Sequence, residues 1–150
     1  MGMRIGRVRI TGARLALLAG IMMALSAVAQ SPVTFKTRLS TVAMDAAMKA
    51  TIAGEGSATA VLAGSKLTVS GTFEGLKSPA TMAHIHQGSA TGVRGAKVLD
   101  LTVSKAVSGS VSGTFDLTPE QVDALKKGKW YVQIHSEKAP DGNLWGWLLP

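Results

Sequence analysis

Apolar residues recur at every second position through most of the chain after residue 30, which is the period of a half-buried β-strand. In one such segment Leu67, Val69 and Phe73 would face inward, while the residues between them face water. The segments with this pattern are 33–39, 57–63, 69–73, 81–86, 98–103, 111–115, 130–135 and 144–149. The pattern therefore predicts about eight short strands.

A five-residue sequence occurs twice among these segments. Val-Ser-Gly-Thr-Phe stands at 69–73 and again 42 positions later at 111–115, followed in each case by an acid, Glu74 or Asp116. The repetition predicts two equivalent strands.

Residues 118–128 break the alternation and carry the signature of a short helix. Thr118 suits the N-cap, Pro119 the first helical position and Gln121 the third, which together form a capping box, and Gly128 ends the helix. Residues 41–50 also have helical spacing, with an irregular loop as the alternative. Together these features predict an all-β fold, a Greek-key β-sandwich or barrel of about eight short strands with one short inserted helix.

The C-terminal residues predict a hairpin whose last strand is apolar on both faces. The sequence Pro-Asp-Gly-Asn at 140–143 is typical of a tight turn. In the strand that follows, Trp145 and Trp147 would lie on one face and Leu144 and Leu148 on the other. Either the strand is buried on both sides or one face binds a partner; burial is favoured because apolar edge strands aggregate.

The first 29 residues predict a secretory signal peptide. Four arginines and no acid precede the uncharged segment 15–29, which ends in the small residues Ala-Val-Ala. Fifteen apolar residues fall short of the roughly 20 that span a bilayer, so cleavage after Ala29 is favoured over a retained anchor. The expected organisation is a signal peptide over 1–29 and one β domain over 30–150, in a secreted or periplasmic protein.

Charge and cysteine content exclude several classes of function. The chain has a net charge of +7, but four of its 16 basic residues lie in the first 14 positions, and from Gln30 onward the balance is twelve to nine. A charge this small and dispersed argues against nucleic acid as a partner. Because the chain has no cysteine, disulfides, thiol catalysis and cysteine-based zinc sites are excluded.

The three histidines of the chain all lie in predicted strands. The period of two places His84 and His86 on one face together with Met82, and it places His135 with Tyr131 and Gln133 on the polar face of another strand. An ordinary sheet can bring these two faces together.

Such an arrangement predicts a copper or zinc site. Two imidazoles two residues apart on a strand can converge on one ion, and a third from another strand completes a set of three ligands. The predicted ligands are His84, His86 and His135, and the nearby thioether of Met82 is a further candidate that favours copper over calcium or magnesium. The alternative is that the histidines hydrogen-bond to turns and hold the loop 87–95, a commoner role for histidine.

A longer series of motifs resembles the chordin-type (CHRD) domain family, which occurs in bacterial secreted proteins and in the developmental protein chordin. The matching positions are 83–86 (Ala-His-Ile-His) with Gly88, Gly92 and Gly95, then 117–121 (Leu-Thr-Pro-Glu-Gln), Leu125, Gly128, 131–132 (Tyr-Val), His135, 140–142 (Pro-Asp-Gly) and Gly146. The resemblance covers about residues 56–149 and implies an extracellular or periplasmic all-β module. The chain departs from the family at Asn143 and Trp145, near which the family usually has a glutamate and an arginine, so a role for that ion pair is not carried over.

The sequence favours an exported, non-enzymatic binding or structural module over an enzyme. It contains no Gly-x-Ser-x-Gly motif, and Asp100 is better explained by capping and solubility than by an acid pair with Asp116 or Glu120. Two alternatives remain: a metal-dependent enzyme similar to superoxide dismutase, and a cell-envelope adhesion or assembly protein. The expected partner is an unidentified extracellular or envelope component. The protein is expected to be a monomer or weak oligomer with no membrane span after signal cleavage.

Overall fold

Eight antiparallel strands form a closed barrel in the part of the chain that the computed structural model describes, which is residue 2 and residues 30–150. The strands are β1 (Val33–Thr41), β2 (Glu55–Ala63), β3 (Lys66–Glu74), β4 (Ala80–Gln87), β5 (Ala96–Val103), β6 (Gly109–Asp116), β7 (Trp130–Ser136) and β8 (Ala139–Trp147). A short 3₁₀ turn, Met48–Ala50, follows β1, and one helix, α1 (Pro119–Lys126), precedes β7. The predicted signal peptide falls on residues that lie, apart from residue 2, outside the described ones.

The strands follow one another around the barrel in the order β1-β2-β3-β6-β5-β4-β7-β8. Because β7 returns to lie beside β4, the order β7-β4-β5-β6 is a Greek key, which confirms the predicted fold class. The β5/β6 and β1/β8 pairings each contain only two residue pairs, so these two pairings are shorter than the others in the barrel. The return of β7 to β4 is what places the three histidines on neighbouring strands.

The predicted alternation is confirmed in the core. Leu67, Val69 and Phe73 are buried inside the barrel, and the polar residues between them lie outside. The two copies of the repeated sequence lie on adjacent antiparallel strands, β3 and β6, in which Ser70 and Ser112, the second residue of each copy, pair with each other. The prediction of two equivalent strands is therefore confirmed, and the two copies pair with each other.

The predicted helix is confirmed together with its capping box. Thr118 Oγ1 accepts a hydrogen bond from the Gln121 amide, and Gln121 Oε1 accepts one from the Thr118 amide. Leu125 packs in the barrel core, and Gly128 ends the helix with a φ of 67°. No helix among the described residues is long and apolar enough to cross a membrane.

The predicted turn at 140–143 is wrong. The turn is instead the two-residue connection Glu137-Lys138, which lets Ser136 pair with Ala139, and residues 140–143 form a bulge within β8. Side chains from β7 hold this bulge, since Gln133 Nε2 donates to the Asp141 carbonyl. A local turn signal was thus overridden by hydrogen bonds from the neighbouring strand.

Two further predictions are corrected in part. In the segment 41–50, β1 continues to Thr41 and only Met48–Ala50 is helical, so the irregular loop is the better description. The last strand lies between β7 and β1, with Leu144 and Leu148 fully buried. On its outer face Trp145 and Trp147 are only half-buried, so burial on both faces is incomplete.

Candidate metal centre

Strands β4 and β7 bring the three histidines together on the outside of the barrel. In the register of this pair, His84 lies opposite Gln133, and His135 lies opposite Met82, so His84 and His135 are diagonal neighbours. His84 Nδ1 and His135 Nε2 are 3.2 Å apart. One ring nitrogen from each histidine lies within 4.8 Å of the others. The expectation that the two polar faces meet is thus confirmed.

The outward-facing residues of β7 are more buried than the sequence predicted. Tyr131, Gln133 and His135 have almost no exposed surface, although they alternate with the core residues of the same strand. The β8 bulge contacts Gln133 and His135, and the backbone of Gly95 hydrogen-bonds with the Tyr131 hydroxyl. These contacts cover the outer face, so the histidine cluster lies in a partly enclosed setting.

Each imidazole has one ring nitrogen next to an oxygen. A carbonyl or carboxylate oxygen can only accept a hydrogen bond, so the nitrogen that faces it carries the proton. The contacts are His86 Nδ1 with the Gly95 carbonyl at 3.0 Å, His135 Nδ1 with the Pro140 carbonyl at 2.8 Å, and His84 Nε2 with Asp100 Oδ1 at 3.3 Å. By this argument the second nitrogen carries the lone pair in His86 (Nε2) and in His135 (Nε2), and it does so in His84 (Nδ1) when the proton of that ring faces Asp100.

One inner nitrogen, His86 Nε2, is buried without a hydrogen-bond partner. His84 Nδ1 and His135 Nε2 lie 3.2 Å apart and share a hydrogen bond when His84 carries its proton on Nδ1. That tautomer turns the lone pair of His84 Nε2 towards the Asp100 carboxylate, whereas the tautomer protonated on Nε2 leaves the two inner nitrogens facing each other as lone pairs. Unpaired polar groups of this kind are costly. A cation between the three rings satisfies all of them.

The distances suit a transition metal. Zinc and copper bind imidazole nitrogen at about 2.0 to 2.1 Å, which puts the nitrogens of a tetrahedral site about 3.4 Å apart. The separation of 3.2 Å between His84 Nδ1 and His135 Nε2 is close to that value, and the ligand nitrogens of all three rings lie within 4.8 Å of one another. The outer hydrogen bonds are those that orient metal-binding histidines in known sites.

Both histidines of β4 are held in the neutral form that a metal needs. Burial lowers the pKa of His84 below its usual 6.5, and the neighbouring His135 and Lys97 lower it further. Burial also lowers the pKa of His86, against the opposing effect of the hydrogen bond to Gly95. Since only unprotonated imidazole binds a metal, these shifts favour metal binding near neutral pH.

Asp100 is the residue of this site that the sequence did not predict. It lies on β5 directly opposite His84, and its Oδ1 is 2.9 Å from Lys97 Nζ. The hydrogen bond from Lys97 keeps the pKa of Asp100 below its ordinary value, so the carboxylate is ionised. Only the pairing of β4 with β5 shows that Asp100 reaches a histidine, and the order of the strands could not be derived from the sequence.

The comparison with protein families decides the classification. The sequence model of the CHRD domain family matches residues 35–148, nearly the whole described barrel. The chain belongs to the CHRD domain family. The match begins in β1, earlier than the resemblance found by motif, which began near residue 56. No curated protein and no solved structure is significantly similar to the chain.

An aromatic cluster supports one side of the histidine site in this CHRD domain. Tyr131 stacks on the His86 ring with centroids 5.1 Å apart and planes 18° apart, and Trp147 packs on Tyr131 at 4.5 Å. The Gly95 amide donates to the Tyr131 hydroxyl, while the Gly95 carbonyl faces His86 Nδ1. His86 therefore also helps to hold the loop 88–95, as the alternative interpretation of the histidines predicted.

Met82 lies on the same outer face of β4 as His84 and His86. Its side chain is 47% exposed and lines the groove onto which the histidines open. The CHRD domain thus has a thioether beside the three imidazoles, as the strand period predicts.

Proposed function

We propose that this CHRD domain is an exported binding module that holds one copper or zinc ion on His84, His86 and His135. The observation that supports the proposal most strongly is the set of outer contacts of the three rings. The carbonyls of Gly95 and Pro140 accept from His86 and His135, the Asp100 carboxylate lies 3.3 Å from His84 Nε2, and the three remaining nitrogens lie within 4.8 Å of one another. Histidines that only stabilise a loop do not need three converging lone pairs.

The donor set favours copper or zinc over other metals. Three imidazole nitrogens suit these two ions, whereas calcium and magnesium require oxygen ligands. Asp100 contacts the outer nitrogen of His84, so it orients a ligand and does not join the ligand set. The exposed thioether of Met82 would favour copper, and especially its reduced form, if it turned towards the ion.

A calorimetric titration of the untagged protein with Zn²⁺ and Cu²⁺ tests the metal site. We expect one equivalent to bind, and we expect His84→Ala, His86→Ala and His135→Ala each to lower the affinity by at least about 100-fold. Met82→Leu tests the thioether separately, because it keeps the size of the side chain but removes the sulfur. A triple histidine variant that is folded by circular dichroism and binds the metal as tightly as the wild type would refute the site.

Export is supported by the first 29 residues, with their basic start, apolar middle and small residues before Gln30. Mass spectrometry of the protein recovered from outside the cytoplasm is expected to show Gln30 as the first residue. A mature protein that still begins at Met1 or Gly2 would contradict this part of the proposal.

A further inference from the structure

The three histidines of the site line a groove on the outer face of the barrel. The groove is lined by the three histidines together with Met82, Lys97 and Lys105. Tyr131 closes the side of the site behind His86, because the two rings are stacked. The groove is therefore the side from which a small molecule can approach the histidines from solvent.

The charge in this groove is positive once a divalent ion is bound. Lys97 is paired with Asp100, so their charges cancel locally. Among the described residues Lys105 makes no ion pair, and its charge adds to that of the metal. Positive charge already acts on the imidazoles, because Lys97 and Arg94 both lower the pKa of His86. A groove of one charge sign concentrates ions of the opposite sign.

The coordination of the ion would be incomplete with the three histidines alone. Three histidines supply three nitrogens, and sites with three protein ligands keep a further position for water or an added ligand. The three histidine donors all lie on β4 and β7, so the vacant coordination position of the ion would face the groove.

We propose that this groove binds a small anion with a nitrogen or oxygen donor atom, which becomes the fourth ligand of the metal and is attracted by Lys105. The inference rests on the proposed metal site. It assigns to the protein a ligand class, small monoanions, that the metal site alone does not specify. Lys97 contributes less, because Asp100 neutralises it.

The test is a titration of the copper-loaded full-length protein with sodium azide. Azide that binds Cu²⁺ gives a charge-transfer absorption band, and we expect this band to appear and to saturate. Lys105→Gln is expected to weaken azide binding about fivefold, the effect of about 1 kcal/mol for one charge near a surface. Lys36→Gln is the matched control, because it removes an exposed lysine on β1 outside the groove.

The outcomes separate this inference from the proposed function when the copper content of each sample is also measured. A protein that carries one copper but shows no azide band overturns the anion site and leaves the metal site intact. Equal azide affinities for Lys105→Gln and Lys36→Gln overturn the role of Lys105. A protein that takes up no copper overturns the copper site and the anion site together.

Discussion

Asp100 lies 3.3 Å from His84 Nε2, on the outer side of that ring, where the other two histidines have backbone carbonyls. The carbonyls of Gly95 and Pro140 are fixed by the chain, whereas Asp100 is an exposed side chain whose position depends on Lys97. A single side-chain substitution at Asp100 can therefore change the surroundings of His84 without removing a candidate ligand.

We expect Asp100→Ala to lower metal affinity by about 10- to 100-fold, the usual effect of removing an outer partner of a metal-binding histidine. Asp100→Asn should lower the metal affinity less, since its amide oxygen can still accept a hydrogen bond from His84 Nε2. Calorimetry with Zn²⁺ measures both, and Asp116→Ala is the control, because Asp116 is an exposed acid that pairs with Lys66 across β3 and β6, strands that carry none of the histidines. Identical affinities for Asp100→Ala and Asp116→Ala would contradict the role of Asp100.

The lowered pKa values of His84 and His86 predict how the stability of the metal-free protein depends on pH. In the unfolded chain both residues titrate near 6.5, and in the folded protein they titrate lower. As the pH falls through 6.5 the unfolded chain binds more protons, so the free energy of unfolding decreases, and it stops decreasing below the folded pKa values.

Urea unfolding between pH 7.5 and pH 5.5 in the presence of a chelator measures this decrease. A variant with His84→Gln and His86→Gln together is expected to lose less stability over that range than the wild type. If both proteins lose the same amount, the two histidines do not have lowered pKa values in the folded state.

At the scale of the element, the backbone conformation of the bulge in β8 affects the histidine cluster. Gly142 has a φ of 130°, and a Cβ on it would collide with the side-chain amide of Gln133. That amide holds the Asp141 carbonyl, next to the Pro140 carbonyl that orients His135. The conformation of the bulge therefore sets the position of the carbonyl that hydrogen-bonds with His135 in the histidine cluster.

We expect Gly142→Ala to destabilise the protein by roughly 2 to 3 kcal/mol, because strained backbone and steric collision add. Gly64→Ala is the matched control: Gly64 also has a positive φ, 62°, but nothing lies within 4 Å of the added Cβ, so about 1 kcal/mol is expected. Urea unfolding gives both values, and Gly142→Ala should also weaken Zn²⁺ binding. Equal losses of stability in the two variants would show that the contact with Gln133 does not matter.

The elements show what the sequence could and could not predict. The period of two located the eight strands, and the capping box of Thr118 and Gln121 located the helix, because both signals are local. The turn at 140–143 was placed wrongly because side chains of β7 hold those carbonyls. Asp100 was missed for the same reason, since its contact with His84 depends on which strands are neighbours. The histidine cluster was predictable because it needs only one pairing, β4 with β7.

At the scale of the whole molecule, the Greek-key crossover makes the site a link between distant parts of the chain. His86 and His135 are 49 positions apart in sequence, and the residues that orient them come from the loop before β5 and from β8. A metal that binds only when these parts are assembled stabilises the folded protein by mass action.

Zn²⁺ at about 100 times its dissociation constant is therefore expected to stabilise the fold by about 2.7 kcal/mol, which raises the Tm by roughly 8 °C for a domain of this size. Thermal unfolding followed by circular dichroism with and without the ion measures the shift. The variant with alanine at His84, His86 and His135 should show no shift at the same Zn²⁺ concentration, since the chain has no other histidine and no cysteine to bind the ion. An equal shift in that variant would mean that Zn²⁺ binds elsewhere on the protein. The stabilisation by Zn²⁺ would then not come from the three histidines.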